Sequence, residues 1–474
     1  MTALRITGGR VIDPGSGHDA EADVWIDAGR IAAIGAAPAS FPSHERIDAS
    51  GCIVCPGLVD LSARLREPGE RHKGTIASES RAAIAGGVTT VCCPPDTAPV
   101  VDAPATVELI RQRAIEADQA RVYPIGALTA GLDGQYLAPM RALARAGCPA
   151  LGQADRDVAD SHVLRSALAY AATIDRPVIL PACTPSLGHG CAHEGAIASG
   201  LGLPGIPVAA ETTAVARIIA LVADTGARVH IGRLSSAAAV DLLARAKADG
   251  LPVSADVAAH QLELTESALT GFDARAHLRP PLRSAGDRDA LREAVAAGVI
   301  DAICSDHRPH EPDAKRRPFE ASDPGLSGLE TLLGLVLARV AAGDCDLVTA
   351  LTRVTAGPAR ILDLDLGHLR PDAAADLCIF DPDTETAVEP DRFVSRGHDT
   401  PLAGHTLPGR VRTVLVDGRI RTRGQSNAPL VPSLSPLGTP PPKLIRHSRS
   451  VRESALSSAT CSSTSPRLYR SNSD

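Results

Sequence analysis

The sequence predicts an α/β protein, an eight-stranded β/α (TIM-type) barrel carrying a small β-sandwich domain built from both chain ends. Three observations predict it. Between residues 53 and 306, eight short apolar runs alternate with helix-like stretches, and eight β/α repeats over roughly 250 residues is the arithmetic of a closed parallel barrel. The opening residues instead show hairpin-like alternation, and strand-like runs return at 376–380 and 412–416. A length of 474 residues accommodates one such barrel and a satellite.

Taken in order, residues 1–54 form the N-terminal part of the small β domain. Their runs 4–12 and 22–34 are broken by Gly8-Gly9 and by Asp27-Ala28-Gly29, which is hairpin-turn chemistry. Residues 55–364 form the barrel. Its strands are expected at 53–65, 88–93, 122–128, 149–152, 177–182, 228–234, 252–257 and 301–305, with helices such as 76–85, 163–172, 212–223 and 237–248 between them. Residues 365–422 complete the small domain. Residues 423–474 hold seven Lys or Arg against two acids, together with runs such as Ser433-Leu434-Ser435-Pro436 and Pro440-Pro441-Pro442. A stretch with so little to bury is expected to be a disordered, solvated tail.

Composition narrows the function. Hydrophobic residues at 44% and charged ones at 22% fit a globular protein and exclude a fibre or a disordered chain. Aromatics are only 2%, so the core must be Ala, Val, Leu and Ile, and base-stacking platforms are poorly supplied. The net charge of -7, with +5 on the tail and therefore -12 on residues 1–422, offers nucleic acid no general attraction. Eleven cysteines are scattered through the chain, mostly in apolar runs, as buried thiols of a reducing compartment would be. Arg5, Arg10 and Asp13 interrupt the first apolar run, and no stretch of about 18 uncharged apolar residues occurs. The expectation is a cytoplasmic protein with neither membrane nor nucleic-acid partners.

Barrel enzymes carry their chemistry at the C-terminal strand ends. The first strand ends in Asp60-Leu61-Ser62-Ala63-Arg64-Leu65-Arg66-Glu67-Pro68-Gly69 and the eighth in Ser305-Asp306-His307-Arg308-Pro309-His310. Over about residues 1–422 the sequence resembles the dihydroorotase family of the amidohydrolase superfamily. The family's PGLVDxHxHxREPG is matched by residues 56–69, its AGGxTTVxxMPNT by 85–97, its LGLPGIP by 201–207, its NPPLR by 279–283 and its TDHAPH by 305–310.

That resemblance implies hydrolysis of a cyclic amide by one or two divalent metals, held by imidazoles and carboxylates on different strands. The departures decide the function. The two strand-one histidines of the family fall on Ser62 and Arg64, the strand-five histidine on Pro181, and the strand-six histidine on Arg233. A serine hydroxyl is a poor zinc ligand and a guanidinium is none, having no lone pair to give. On strand four the carboxylate motif aligns with Gly152-Gln153-Ala154-Asp155, leaving the role of Asp155 open. Only Asp306, the strand-eight base and ligand, stands unchanged. The arginines at former ligand positions can pair with Asp306 and other acids, putting ion pairs where the family holds metals.

The substrate subsite implied by the resemblance is altered as well. Arg66 matches the arginine that grips the substrate carboxylate, but the asparagine beside it falls on Asp96, which would repel that group, and the asparagine of NPPLR becomes Arg279. His310 matches a substrate-contacting histidine and reads equally as a structural one. His260, Cys304, His307 and Cys183 lie near predicted strand ends without ligand spacing, so a repurposed metal site is disfavoured.

The leading expectation is a pseudoenzyme: no cofactor, no metal, and a role in pyrimidine biosynthesis as the kind of dihydroorotase-like subunit that supports assembly of aspartate carbamoyltransferase, itself a homo-oligomer within that larger complex. The alternative is an active zinc-dependent dihydroorotase or a hydantoinase- or allantoinase-type relative. A third reading, a sensor that binds dihydroorotate or carbamoyl aspartate without turnover, is weakened by Asp96.

Overall fold

In the computed structural model, which describes residues 3–423, the alternation at the two chain ends becomes two sheets. One has four strands in the order Arg30–Ile34, Val24–Asp27, Ala3–Thr7, His44–Asp48. The other has six, in the order Arg419–Arg423, Thr406–Val416, Leu377–Ala387, Ile53–Pro56, Arg10–Asp13, His18–Glu21, and so draws on both ends of the chain. The strand period of two sorts their side chains. Val11, Val54, Leu377, Ile379 and Leu415 pack into one core with Leu4, Ile6, Val24, Ile26 and Ile31. Their neighbours Ile12, Ile53, Cys55, Cys378, Phe380, Val414 and Val416 join the core of the barrel. A sheet covered on both faces needs apolar residues at consecutive positions, which is why 53–56 and 377–380 read as unbroken apolar runs.

The barrel strands are Leu58–Asp60, Val88–Cys93, Arg121–Pro124 continuing across Ile125 into Gly126–Ala127, Leu151–Gly152, Val178–Pro181, Val229–Gly232, Val253–Ala258 and Ala302–Cys304. Each pairs in parallel with its neighbours. The circle closes where Ala63 bridges His307: the His307 N–H donates to the Ser62 carbonyl at 3.1 Å and the Arg64 N–H to the His307 carbonyl at 2.8 Å. The connecting helices bury one stripe of small and branched residues each. In Ala209–Thr225, for example, Ala210, Ala214, Ile218 and Val222 recur every fourth position, and Gly226 at φ 66° ends the helix.

One expected strand is corrected. The run 53–65 is not a single barrel strand: it divides at Gly57, with Ile53–Pro56 in the six-stranded sheet and Leu58–Asp60 in the barrel. A Cβ at Gly57 would lie 2.1 Å from the Thr89 hydroxyl, so only glycine lets the chain pass from one sheet to the other at this point. The N-terminal share of the small domain therefore runs to Pro56 rather than ending at residue 54.

Over the mouth of the barrel, the loops after strands five, seven and eight pack on one another through Cys191, Ala198, Leu269, Leu278, Leu282, Phe319 and Leu326, a satellite core of their own. The ten cysteines among the described residues are all free thiols. No helix among the described residues is long and apolar enough to cross a membrane. The expected tail, 423–474, lies outside the described residues apart from Arg423, which closes the last strand.

Candidate functional site

The strand ends converge on a cluster of three arginines and three aspartates, in which Arg64, Asp306 and Arg308 are buried while Asp96 and Asp155 reach the surface. Strand one delivers Arg64, strand two Asp96, strand four Asp155, strand six Arg233, and strand eight both Asp306 and Arg308. Arg64 sends Nε to Asp96 at 2.9 Å, Nη2 to Asp155 at 2.9 Å, and Nη1 toward Asp306 at 3.8 Å. Arg233 donates through Nη1 to Asp306 at 2.8 Å and through Nη2 to Asp155. Arg308 closes the set on the second oxygen of Asp155.

Charges of both signs are thus matched three to three, from the buried Asp306 outward to the exposed Asp155 and Asp96. Burial works against the charge on Asp155 and Asp306, but Arg233, Arg308 and Arg64 outweigh it: Asp155 is held well below the usual carboxylate range and Asp306 below its ordinary value. Burial likewise opposes the charge on Arg64 and Arg233, and the aspartates again prevail, raising both. Arg308, with Arg64 close by, is lowered chiefly by its burial.

The backbone is bent to deliver these groups. Arg66, Ala154, Arg233 and Asp306 all sit at positive φ, at 63°, 53°, 59° and 44°, conformations that cost a side-chain-bearing residue of order 1–3 kcal/mol each and persist only where the surroundings impose them. Beneath the cluster, Asp60 accepts from the Ser305 N–H at 2.9 Å and from the Ser305 hydroxyl at 2.5 Å, tying the end of strand one to the end of strand eight. Asp256 accepts from the Arg233 N–H at 2.5 Å and from His230 Nε2 at 3.1 Å, fixing the turn out of strand six.

The expected site residues fall into two groups. Ser62, Arg64, Pro181 and Arg233 line one cavity of about 40 Å³, together with Pro94, Pro95, Ile125, Ile179 and Asp256. That volume suits a few water molecules. Arg66 and His310 make no bond to the cluster, although Arg66 lines a second cavity with Arg64 and Asp96. Arg66 donates to the Pro309 carbonyl at 2.9 Å, to Glu70 at 2.7 Å and meets His310 Nε2 at 3.2 Å. Burial, followed by the charge of Arg66, drives the His310 imidazole down to about 2.

Arg279 is exposed, makes one long contact to the Gly190 carbonyl at 3.4 Å and does not join the cluster. Asp96 differs from expectation in its environment. Its carboxylate is neutralised by Arg64 rather than left free to repel an anion. His260 lies buried beside Asp306 and Arg233 with neither ring nitrogen bonded, and burial lowers it to about 4. Of the other strand-end candidates, Cys304 is buried with its thiol raised by burial, Cys183 is half-buried, and His307 turns away to Glu79 at 2.9 Å. Among the described residues, no group of three or more His, Cys, Asp or Glu is arranged to hold a metal ion.

Arg308 is the member of the cluster that sequence reading passed over. The signal was present: it occupies the alanine position of the TDHAPH pattern, a small residue exchanged for a cation one residue beyond His307.

Comparison with known proteins adds the following. The profile of the family described as "Dihydro-orotase-like" matches residues 51–239. A "Dihydroorotase-like protein" of Pseudomonas aeruginosa is 51% identical over 422 residues, covering 89% of this chain and 100% of that one. A dihydroorotase of Syntrophotalea carbinolica is 42% identical over 421 residues, covering 89% and 99%. Among solved structures, an L-hydantoinase from Arthrobacter aurescens superposes with a TM-score of 0.81 at 22% identity, covering 90% of this chain and 97% of that one, a likeness of fold.

Proposed function

The chain belongs to the dihydroorotase-like family of the amidohydrolases, and from that premise we propose that it is a non-catalytic member whose work is done through its surface, as a cytoplasmic partner supporting the assembly of aspartate carbamoyltransferase. The observation that carries the reading is the ion-paired cluster at the barrel mouth. Asp155 and Asp306, the carboxylates available to a metal, are already satisfied by Arg64, Arg233 and Arg308.

The donor set does not fit the divalent ions on which the family's hydrolysis depends. Two of the four imidazole positions hold guanidiniums, and the others hold Ser62 and Pro181. A divalent ion about 4 Å from one guanidinium would be repelled by about 8 kcal/mol at an effective dielectric of about 20, and three guanidiniums surround this point. The cavity lacks a preformed water-activating centre, so no hydrolytic step is assigned to it. What is retained is the scaffold: the barrel, the two-sheet domain and the loop pack over the mouth.

The test is co-expression with the transferase from the same source. Co-elution in one complex, with transferase assembly or carbamoyl transfer falling when this chain is omitted, is the expected result. A transferase that assembles and turns over identically alone, with no co-elution at micromolar concentration, overturns it. Stoichiometric zinc in the purified chain together with interconversion of dihydroorotate and carbamoyl aspartate would overturn the non-catalytic part.

A further inference from the structure

Three guanidiniums converge on one carboxylate at the barrel mouth, and that carboxylate has too few oxygens to serve them. Asp155 gives one oxygen to Arg233 and the other to both Arg64 and Arg308. Neither terminal nitrogen of Arg64 completes a hydrogen bond, although Nη2 lies 2.9 Å from Asp155, and the Nε–H of Arg308 has no acceptor. Arg64 is 4% and Arg308 8% exposed. Buried donors left unsatisfied in a folded protein mark the place of an acceptor from outside the chain.

The other acids at the mouth do not fill the gap. Asp96 takes the Nε–H of Arg64, Asp306 takes Nη1 of Arg233 at 2.8 Å and stands 3.8 Å from Nη1 of Arg64, and Asp256 is spent on the Arg233 N–H and on His230. Arg308 has Asp155 as its one ion-pair partner among the described residues. With Asp155 withdrawn, three arginines would face Asp96 and Asp306 alone, a seat of net positive charge.

Asp155 is the member placed to withdraw. It is exposed, on the loop between the strand Leu151–Gly152 and the helix Ser161–Thr173, directly after the left-handed Ala154. The arginines are pinned by their own backbone: the Arg64 N–H donates to the His307 carbonyl at 2.8 Å, the Arg308 N–H to the Leu326 carbonyl at 2.7 Å and the Arg233 N–H to Asp256 at 2.5 Å. The cavity of about 40 Å³ lies against Arg64, Arg233 and Ala154, which leaves room beside the carboxylate.

A tetrahedral oxyanion offers what Asp155 does not, an acceptor oxygen for each guanidinium and a second negative charge, and arginine forks match phosphate geometry. We propose that Arg64, Arg233 and Arg308 form a phosphate seat that Asp155 occupies in the free protein, and that inorganic phosphate or the phosphoryl group of a small monoester displaces it. Asp155 then works as a built-in competitor. The affinity seen from outside is the affinity of the open seat reduced by the fraction of molecules in which the seat is open.

Calorimetric titration of the purified full chain at neutral pH and matched ionic strength tests this, and because the transferase is not involved, a failed assembly experiment leaves the seat standing. Inorganic phosphate, methyl phosphate and acetate are titrated into wild type, Asp155→Ala and the double variant Asp155→Ala with Arg308→Met. Wild type should bind phosphate saturably, Asp155→Ala should bind it at least about tenfold tighter because the competitor is gone, and the double variant should lose that gain. Methyl phosphate bound as well assigns the seat to a phosphoryl group, and methyl phosphate excluded assigns it to the free ion. A wild type without saturable phosphate binding, equal affinity in the single and double variants, or acetate bound as tightly as phosphate overturns the proposal. Should Asp155→Ala fail to fold, Asp155→Asn carries the same expectation and the same refutation.

Discussion

Asp155 receives three guanidiniums on two oxygens, and with Asp306 it decides what the site costs to disturb. Removing one partner of a buried ion pair leaves the other uncompensated, a loss of about 3–5 kcal/mol. Arg233→Met removes the partner shared by Asp155 and Asp306 and should lower the unfolding free energy by about that amount in urea titration; a change under about 1 kcal/mol would contradict the pairing. The two aspartates also set an acid limb. Both are held below their ordinary range, so their contribution is fully present above about pH 4 and is lost as pH falls through their folded values. Thermal melting of the wild type should therefore drop steeply below about pH 4, and Arg233→Met should flatten that drop. At this scale the sequence was partly legible. Arg64 could be located because a long motif fixes its position, and the charge of Arg64 and Arg233 made carboxylate partners the natural expectation. Asp155 could not be assigned, because its strand is only Leu151–Gly152 and the left-handed turn at Ala154 breaks the register. His260 shows no signal at all in the sequence that its ring would be left without a partner.

The end of strand one is the element that restoring chemistry would have to start from. Replacing Ser62→His and Arg64→His together supplies two imidazoles, but Pro181 still presents no donor and Arg233 still carries its charge onto Asp306 and Asp155. The double variant should bind no stoichiometric zinc and should not interconvert dihydroorotate and carbamoyl aspartate; measured turnover, with metal retained through gel filtration, would show the remaining site to be competent. Elements were legible where the pattern is long and periodic. Strand 88–93 and the helix at 76–85 match the expected spans because apolar spacing announces them, and the Thr75 side chain caps the helix where it was expected to begin. The break at Gly57 was hidden, since strands on either side of it are both buried and read as one apolar run. The placement of residues 388–405 was equally hidden, since it rests on contacts from Glu79 and Glu330, residues distant in sequence.

At the scale of the whole molecule, barrel and small domain are joined with no slack. A single glycine separates a strand of one from a strand of the other, the six-stranded sheet buries a face against the barrel core, and Arg121 of barrel strand three donates to Asp376 at 2.7 Å and bonds Asp417 on the sheet side. Calorimetry of the purified chain should therefore show barrel and small domain melting in one transition; two well-separated peaks, or a small domain lost first by near-UV spectroscopy, would refute that coupling. Asp155's three partners also set the direction in which the sequence can drift. Any route toward a metal-holding site must give up Arg64 and Arg233, and each such exchange leaves Asp155 or Asp306 short of a cation before a metal can arrive to replace it. On the proposed non-catalytic reading the arrangement works as a ratchet: a single exchange of Arg64 or Arg233 for histidine is less fit to fold than a chain with the ion pairs whole, whereas exchanges at Ser62 or Pro181 leave them untouched.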